Sequence, residues 1–72
     1  MLIIYKHLKM NNMTIQEIEQ CYGLNCVEEV WSMARCWENR LELIKELKRA
    51  KLTWDAECLE MLIKYNFLNV NR

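Results

Sequence analysis

The chain has 72 residues, 53% of them hydrophobic, with three Trp, one Gly, no Pro and a formal net charge of zero. So little Gly and Pro argues against an all-β architecture, which needs turn residues, and the apolar content argues against disorder. Neutrality weakens a phosphate-binding role, which wants excess positive charge, and a DNA-mimic role, which wants strong negative charge.

The length makes one domain, 1–72, small enough to bury only about 60% of its unfolded surface, so a staple or a partner would help it. Met1–Tyr5 is too short an apolar run for a signal peptide and lacks a basic leader. No run nears the ~20 apolar residues of a membrane span. The expectation is a cytoplasmic chain whose Cys21, Cys26, Cys36 and Cys58 are reduced.

Met1–Met10 reads as a short helix or an extended arm, one that could cross to a partner subunit, and Asn11 and Asn12 break it. Met13 could be an internal start. Thr14 then opens a helix over 14–22: Thr14 and Glu17 make a capping box, and Ile15, Ile18 and Tyr22 line one face. Gly23 is placed to take the left-handed conformation that ends this helix, with Leu24 packing back across the bend.

The stretch Asn25–Ala50 reads as one long central helix with Asn25 as N-cap and Glu28 as its capping-box partner. Val27, Val30, Ala34, Trp37, Leu41, Ile44 and Leu47 recur at helical spacing, and Trp31, Met33, Cys36 and Leu43 widen the stripe. Acid at Glu28 and Glu29 and base at Lys45, Lys48, Arg49 and Lys51 suit the helix dipole. A helix of about 26 residues is roughly 39 Å long, against roughly 29 Å across for a compact chain of this size. Either it breaks near Asn39, or the molecule is elongated, or a second subunit covers the excess. The third option is preferred.

Lys51 and Leu52 connect to a last helix over 53–67, with Thr53 as N-cap and Asp55 and Glu57 in the first turn. Its stripe is Trp54, Cys58, Met61, Leu62 and Tyr65, extended by Leu59, Ile63 and Phe67. It should fold back antiparallel on the long helix and fray at Asn66, Asn69 and Asn71.

Thr14 to Asn25, a short capped helix, a Gly turn, an apolar residue and a polar cap before another helix, resembles a helix-turn-helix. That resemblance implies a second helix presented to the DNA major groove. This chain departs from the pattern at Glu19, four residues before the Gly, and carries Glu28 and Glu29 but no base before Arg35 in the second helix.

Cys26-x9-Cys36 matches half of the twin Cys-x9-Cys motif of small mitochondrial coiled-coil–helix proteins, but the other half is missing. A disulfide between Cys21 and Cys26 across the Gly23 turn is geometrically imaginable. No Cys-x2-Cys pair supports zinc. His7, the single His, has no nucleophile pattern beside it, and no Gly-rich loop could cradle phosphate. No catalytic, cofactor or metal residues are assigned.

The sequence therefore implies an all-α fold, a small bundle around one long helix. The leading reading is a non-enzymatic interaction module: a regulator, adaptor or inhibitor acting as a homodimer and on another protein. Phage and mobile-element products include many such small chains without chemistry. The alternative is a helix-turn-helix DNA-binding regulator. The expected interface is Val30, Ala34, Trp37, Leu41, Ile44 and Trp54, because aromatics are enriched at binding hot spots.

Overall fold

The computed structural model describes residues 13–72. The helix or arm expected at the N-terminus lies outside them. Four helices follow: α1 (Ile15–Tyr22), α2 (Leu24–Arg35), α3 (Arg40–Arg49) and α4 (Thr53–Lys64). The fold is all-α, with no strand among the described residues beyond an isolated bridge between Asn39 and Asn71.

α1 forms where the sequence places it. The Thr14 hydroxyl accepts from the Glu17 N–H at 3.2 Å, and the Glu17 carboxylate accepts from the Thr14 N–H at 2.9 Å. Gly23 then turns the chain in a single residue. Its φ of +96° is costly for any residue with a Cβ, although its ψ of 139° is not that of a left-handed helix. It serves both neighbours: its N–H donates to Glu19 O at 2.7 Å, and its carbonyl accepts from Val27 N–H at 3.0 Å. α2 therefore starts at Leu24 with Gly23 as its cap and no side-chain capping bond, so Asn25 and Glu28 do not form the expected box. Leu24 does not pack back across the bend, because 52% of it is exposed.

The expected helix over 25–50 is two helices. The chain breaks at Cys36–Asn39, and Asn39 caps α3 by accepting from the Leu41 N–H at 3.0 Å. The break resets the helical phase. Had the helix run on, Leu41 would continue the stripe of Val30, Ala34 and Trp37. Instead Arg40, Leu43, Ile44 and Leu47 turn inward, and Leu41 is 48% exposed. The excess length that called for a second subunit is thereby absent.

The element that gathers the others is α4. It packs against α1, α2 and α3, whereas α2 and α3 scarcely meet each other. Ala56, Cys58, Leu59 and Leu62 of α4 are fully buried, and with Ile18, Val27, Val30, Ala34, Leu43, Ile44 and Leu47 they make the core. α4 begins at Thr53 with Leu52 as its cap, so Thr53 is its first residue and not its N-cap. Lys51, at φ +65°, makes the corner from α3, and Lys48 reaches back to Glu60 at 3.4 Å.

α4 stops at Lys64, three residues short of the expected end. Asn66 takes φ +67°, a conformation Asn tolerates better than most residues, and the Phe67 N–H closes on Leu62 O at 2.8 Å. The remaining residues do not fray. Val70 O accepts from the Arg40 N–H and Arg72 N–H donates to Glu38 O, both at 2.8 Å, so the tail is bound along the α2–α3 break.

Candidate interaction surface

At one end of the bundle the α1–α2 corner meets the start of α4. The Trp54 indole N–H donates to the Tyr22 carbonyl at 3.2 Å, and the two rings stand 4.8 Å apart, tilted at 57°. Trp54 is nevertheless 54% exposed. Leu24 and Leu52, two residues along from each partner, are also about half exposed. Burial, then the nearby Glu57 carboxylate, raises the Tyr22 phenol above its usual range, so it stays neutral. This end is an apolar surface with a rigid aromatic at its centre.

Behind it lies a polar contact. The Cys26 thiol donates to Asp55 Oδ1 at 3.3 Å. Burial, then the bond to Asp55, pushes the Cys26 thiol up to about 12. Burial likewise raises Cys58. Both are neutral thiols at physiological pH. Cys21 and Cys36 are exposed and free. Among the described residues, no group of three or more His, Cys, Asp or Glu could hold a metal ion. No described helix is long and apolar enough to cross a membrane.

The opposite end is built around Arg40, the one buried charged residue among those described. Its Nε donates to Ala34 O at 3.1 Å, and its Nη1 donates to Asn69 O at 2.9 Å and Asn71 O at 3.5 Å. Arg72 Nη1 donates to Arg35 O at 3.1 Å, so of the carbonyls at the end of α2 one is satisfied from α3, by Arg40, and one from the tail. No buried side-chain nitrogen or oxygen among the described residues lacks a partner.

The expected interface residues separate. Val30, Ala34 and Ile44 are buried in the chain's own core, with Ile44 alone of the three keeping a sliver of exposed surface. Trp37 is half-buried against that core. Leu41 and Trp54 are exposed, at opposite ends of the molecule's helical frame. Leu24 and Leu52 were missed because each flanks a turn, where helical spacing says nothing about facing. Arg40 was missed because nothing local marks an Arg as buried; its partners come from the far end of the sequence.

The chain matches no family model, no curated protein and no solved structure.

Proposed function

We propose that this protein is a small non-enzymatic interaction module, a regulator, adaptor or inhibitor that acts by covering part of another protein. The observation that carries this reading is Trp54: over half exposed, yet held by a hydrogen bond and a ring contact to Tyr22. A fixed, half-exposed aromatic loses little side-chain freedom on contact and brings large apolar area to it. Leu24 and Leu52 extend the patch. A second copy of the chain is one partner this patch could take, now on the strength of the patch and no longer of a long rod.

The DNA-binding alternative has less support. The turn between α1 and α2 is Gly23 alone, shorter than the three or four residues of a helix-turn-helix. α2 exposes Glu28 and Glu29, and its one base is Arg35, in its last turn. Acid at that position would face phosphate.

The test pairs the native chain with a Leu24→Ser/Leu52→Ser variant. Light scattering at micromolar concentration and affinity capture from the source cell should show self-association or a bound protein that the variant loses while keeping its helical circular-dichroism spectrum. Capture that is identical for both proteins, with both monomeric, sinks the reading. Salt-dependent retention on a DNA column would favour the alternative.

A further inference from the structure

The tail is held at the α2–α3 break largely through its backbone. Arg40 N–H donates to Val70 O and Arg72 N–H to Glu38 O, both at 2.8 Å, on either side of the Asn39–Asn71 bridge. The Arg40 guanidinium donates to Asn69 O at 2.9 Å, and Arg72 Nη1 donates to Arg35 O at 3.1 Å. Every one of these bonds is non-local, so the tail of a second copy can make the same set.

One bent residue joins this tail to α4. Asn66 stands at φ +67°, a region that strains any side chain with a Cβ, Asn less than most. Around the bend the Asn66 N–H donates to Ile63 O at 3.1 Å, and the Phe67 and Leu68 N–H groups donate to Leu62 O at 2.8 and 3.1 Å. If residues 65–68 continued α4, those three donors would pass to Leu62 O, Ile63 O and Lys64 O. Neither Gly nor Pro stands there to stop the helix, and the apolar spacing of α4 runs on to Phe67. Bent and straight hinges therefore satisfy the same donors, and the straight one has no left-handed residue.

We propose that residues 67–72 exchange between two copies of the chain: α4 straightens through Asn66, and each tail binds the α2–α3 break of the other copy. Each copy gives one tail and receives one, so every hydrogen bond from the break to the tail recurs in the dimer. Relief of Asn66 in both copies favours exchange, and the entropy of association opposes it. The monomer therefore prevails in dilute solution and the exchanged dimer in concentrated solution. The occupant is a second copy because it brings the segment this site already holds, with Arg72 on the negative end of α2. The contact lies at the opposite end of the bundle from Trp54 and does not depend on the apolar patch there.

Two measurements on the full chain test this. Light scattering from micromolar to millimolar concentration compares Asn66→Gly, which accepts positive φ freely, with Asn66→Ala, which does not and favours helix. The association constant should be about tenfold or more higher for Asn66→Ala, because each dimer relaxes two hinges. The second measurement uses two chains, both with Cys21→Ser and Cys36→Ser, one also carrying Asn39→Cys and the other Asn71→Cys. Positions 39 and 71 oppose each other as a non-hydrogen-bonded antiparallel pair, close enough for a disulfide. Mixed at millimolar concentration and then diluted into oxidised glutathione, the two chains should yield a 39–71 linked peptide, mapped by mass spectrometry. Chains mixed only after dilution should yield far less. Equal association of Asn66→Ala and Asn66→Gly, or two monomers at millimolar concentration, would overturn the proposal. So would a dimer that gives no 39–71 link, or one that Leu24→Ser/Leu52→Ser abolishes, since that dimer belongs to the apolar patch.

Discussion

Arg40 Nε donates to the Ala34 carbonyl at 3.1 Å, joining the first residue of α3 to the last turn of α2 across the break between them. The guanidinium has no carboxylate partner in this contact. Its charge is met by carbonyl oxygens: Ala34 O at the negative end of the α2 dipole, and Asn69 O and Asn71 O in the tail. Arg40→Met keeps much of the volume but leaves Asn69 O and Asn71 O without the guanidinium, while Ala34 O keeps only the Trp37 and Cys36 N–H groups. The expected loss is about 2–3 kcal/mol of unfolding free energy, read from urea midpoints. Truncation after Leu68 should cost a similar amount. The combined variant should lose clearly less than the sum, because both changes dismantle one network. Additive losses would mean that Arg40 and the tail act separately.

This network also explains where sequence reading stopped. The Thr14–Glu17 box was legible because capping is local: four residues hold both partners. The break at Cys36–Asn39 was not, because α2 and α3 both turn apolar faces to α4 and so continue one apparent stripe. Neither Gly nor Pro marks it. Its one local sign is Asn39, a residue type that competes with the helix and prefers to cap it. What stabilises the break comes from residues 69–72, thirty positions away, and no window of sequence contains both. At the candidate surface, Trp54 was legible as an aromatic in excess of a thin core, but its Tyr22 partner lies 32 positions earlier, across three turns.

The phase reset at Asn39 predicts unequal costs for two leucines of the sequence stripes. Leu59 is fully buried at the centre of α4, so Leu59→Ala should cost about 2–5 kcal/mol. Leu41 sits on the original stripe but is 48% exposed, and Leu41→Ala should cost under about 1 kcal/mol. Chemical denaturation of both variants decides this. Equal losses would restore the unbroken helix, in which Leu41 faces inward.

Lys51 holds φ +65° at the α3–α4 corner, where its N–H donates to Lys48 O at 3.0 Å. The left-handed region costs a residue with a Cβ roughly 1–2 kcal/mol. Lys51→Gly relieves that strain while adding unfolded-state entropy. The net expectation is a modest gain, up to about 1 kcal/mol, seen as a melting temperature higher by a few degrees. Gly23 is the converse case. At φ +96° with open space around its Cβ position, Gly23→Ala meets no clash, so any loss it shows is backbone strain in excess of the unfolded-state entropy that Ala removes.

Cys26 gives the fold an alkaline limit. Burial and the Asp55 bond push its thiol from 9.0 up to about 12 in the folded chain. Between those values the unfolded thiol has lost its proton and the folded one has kept it. The folded state then binds more protons, so stability falls as pH rises. The contribution is complete below about pH 9 and is lost progressively toward pH 12. Melting temperatures measured from pH 8 to 11 should decline, and Cys26→Ala should flatten that part of the decline which the other cysteine, tyrosine and lysine groups do not cause. In the same range, iodoacetamide should label Cys21 and Cys36 well before Cys26, because alkylation needs the thiolate. Labelling of Cys26 as fast as the exposed pair, in protein that is still folded, would mean that the contact with Asp55 is absent in solution.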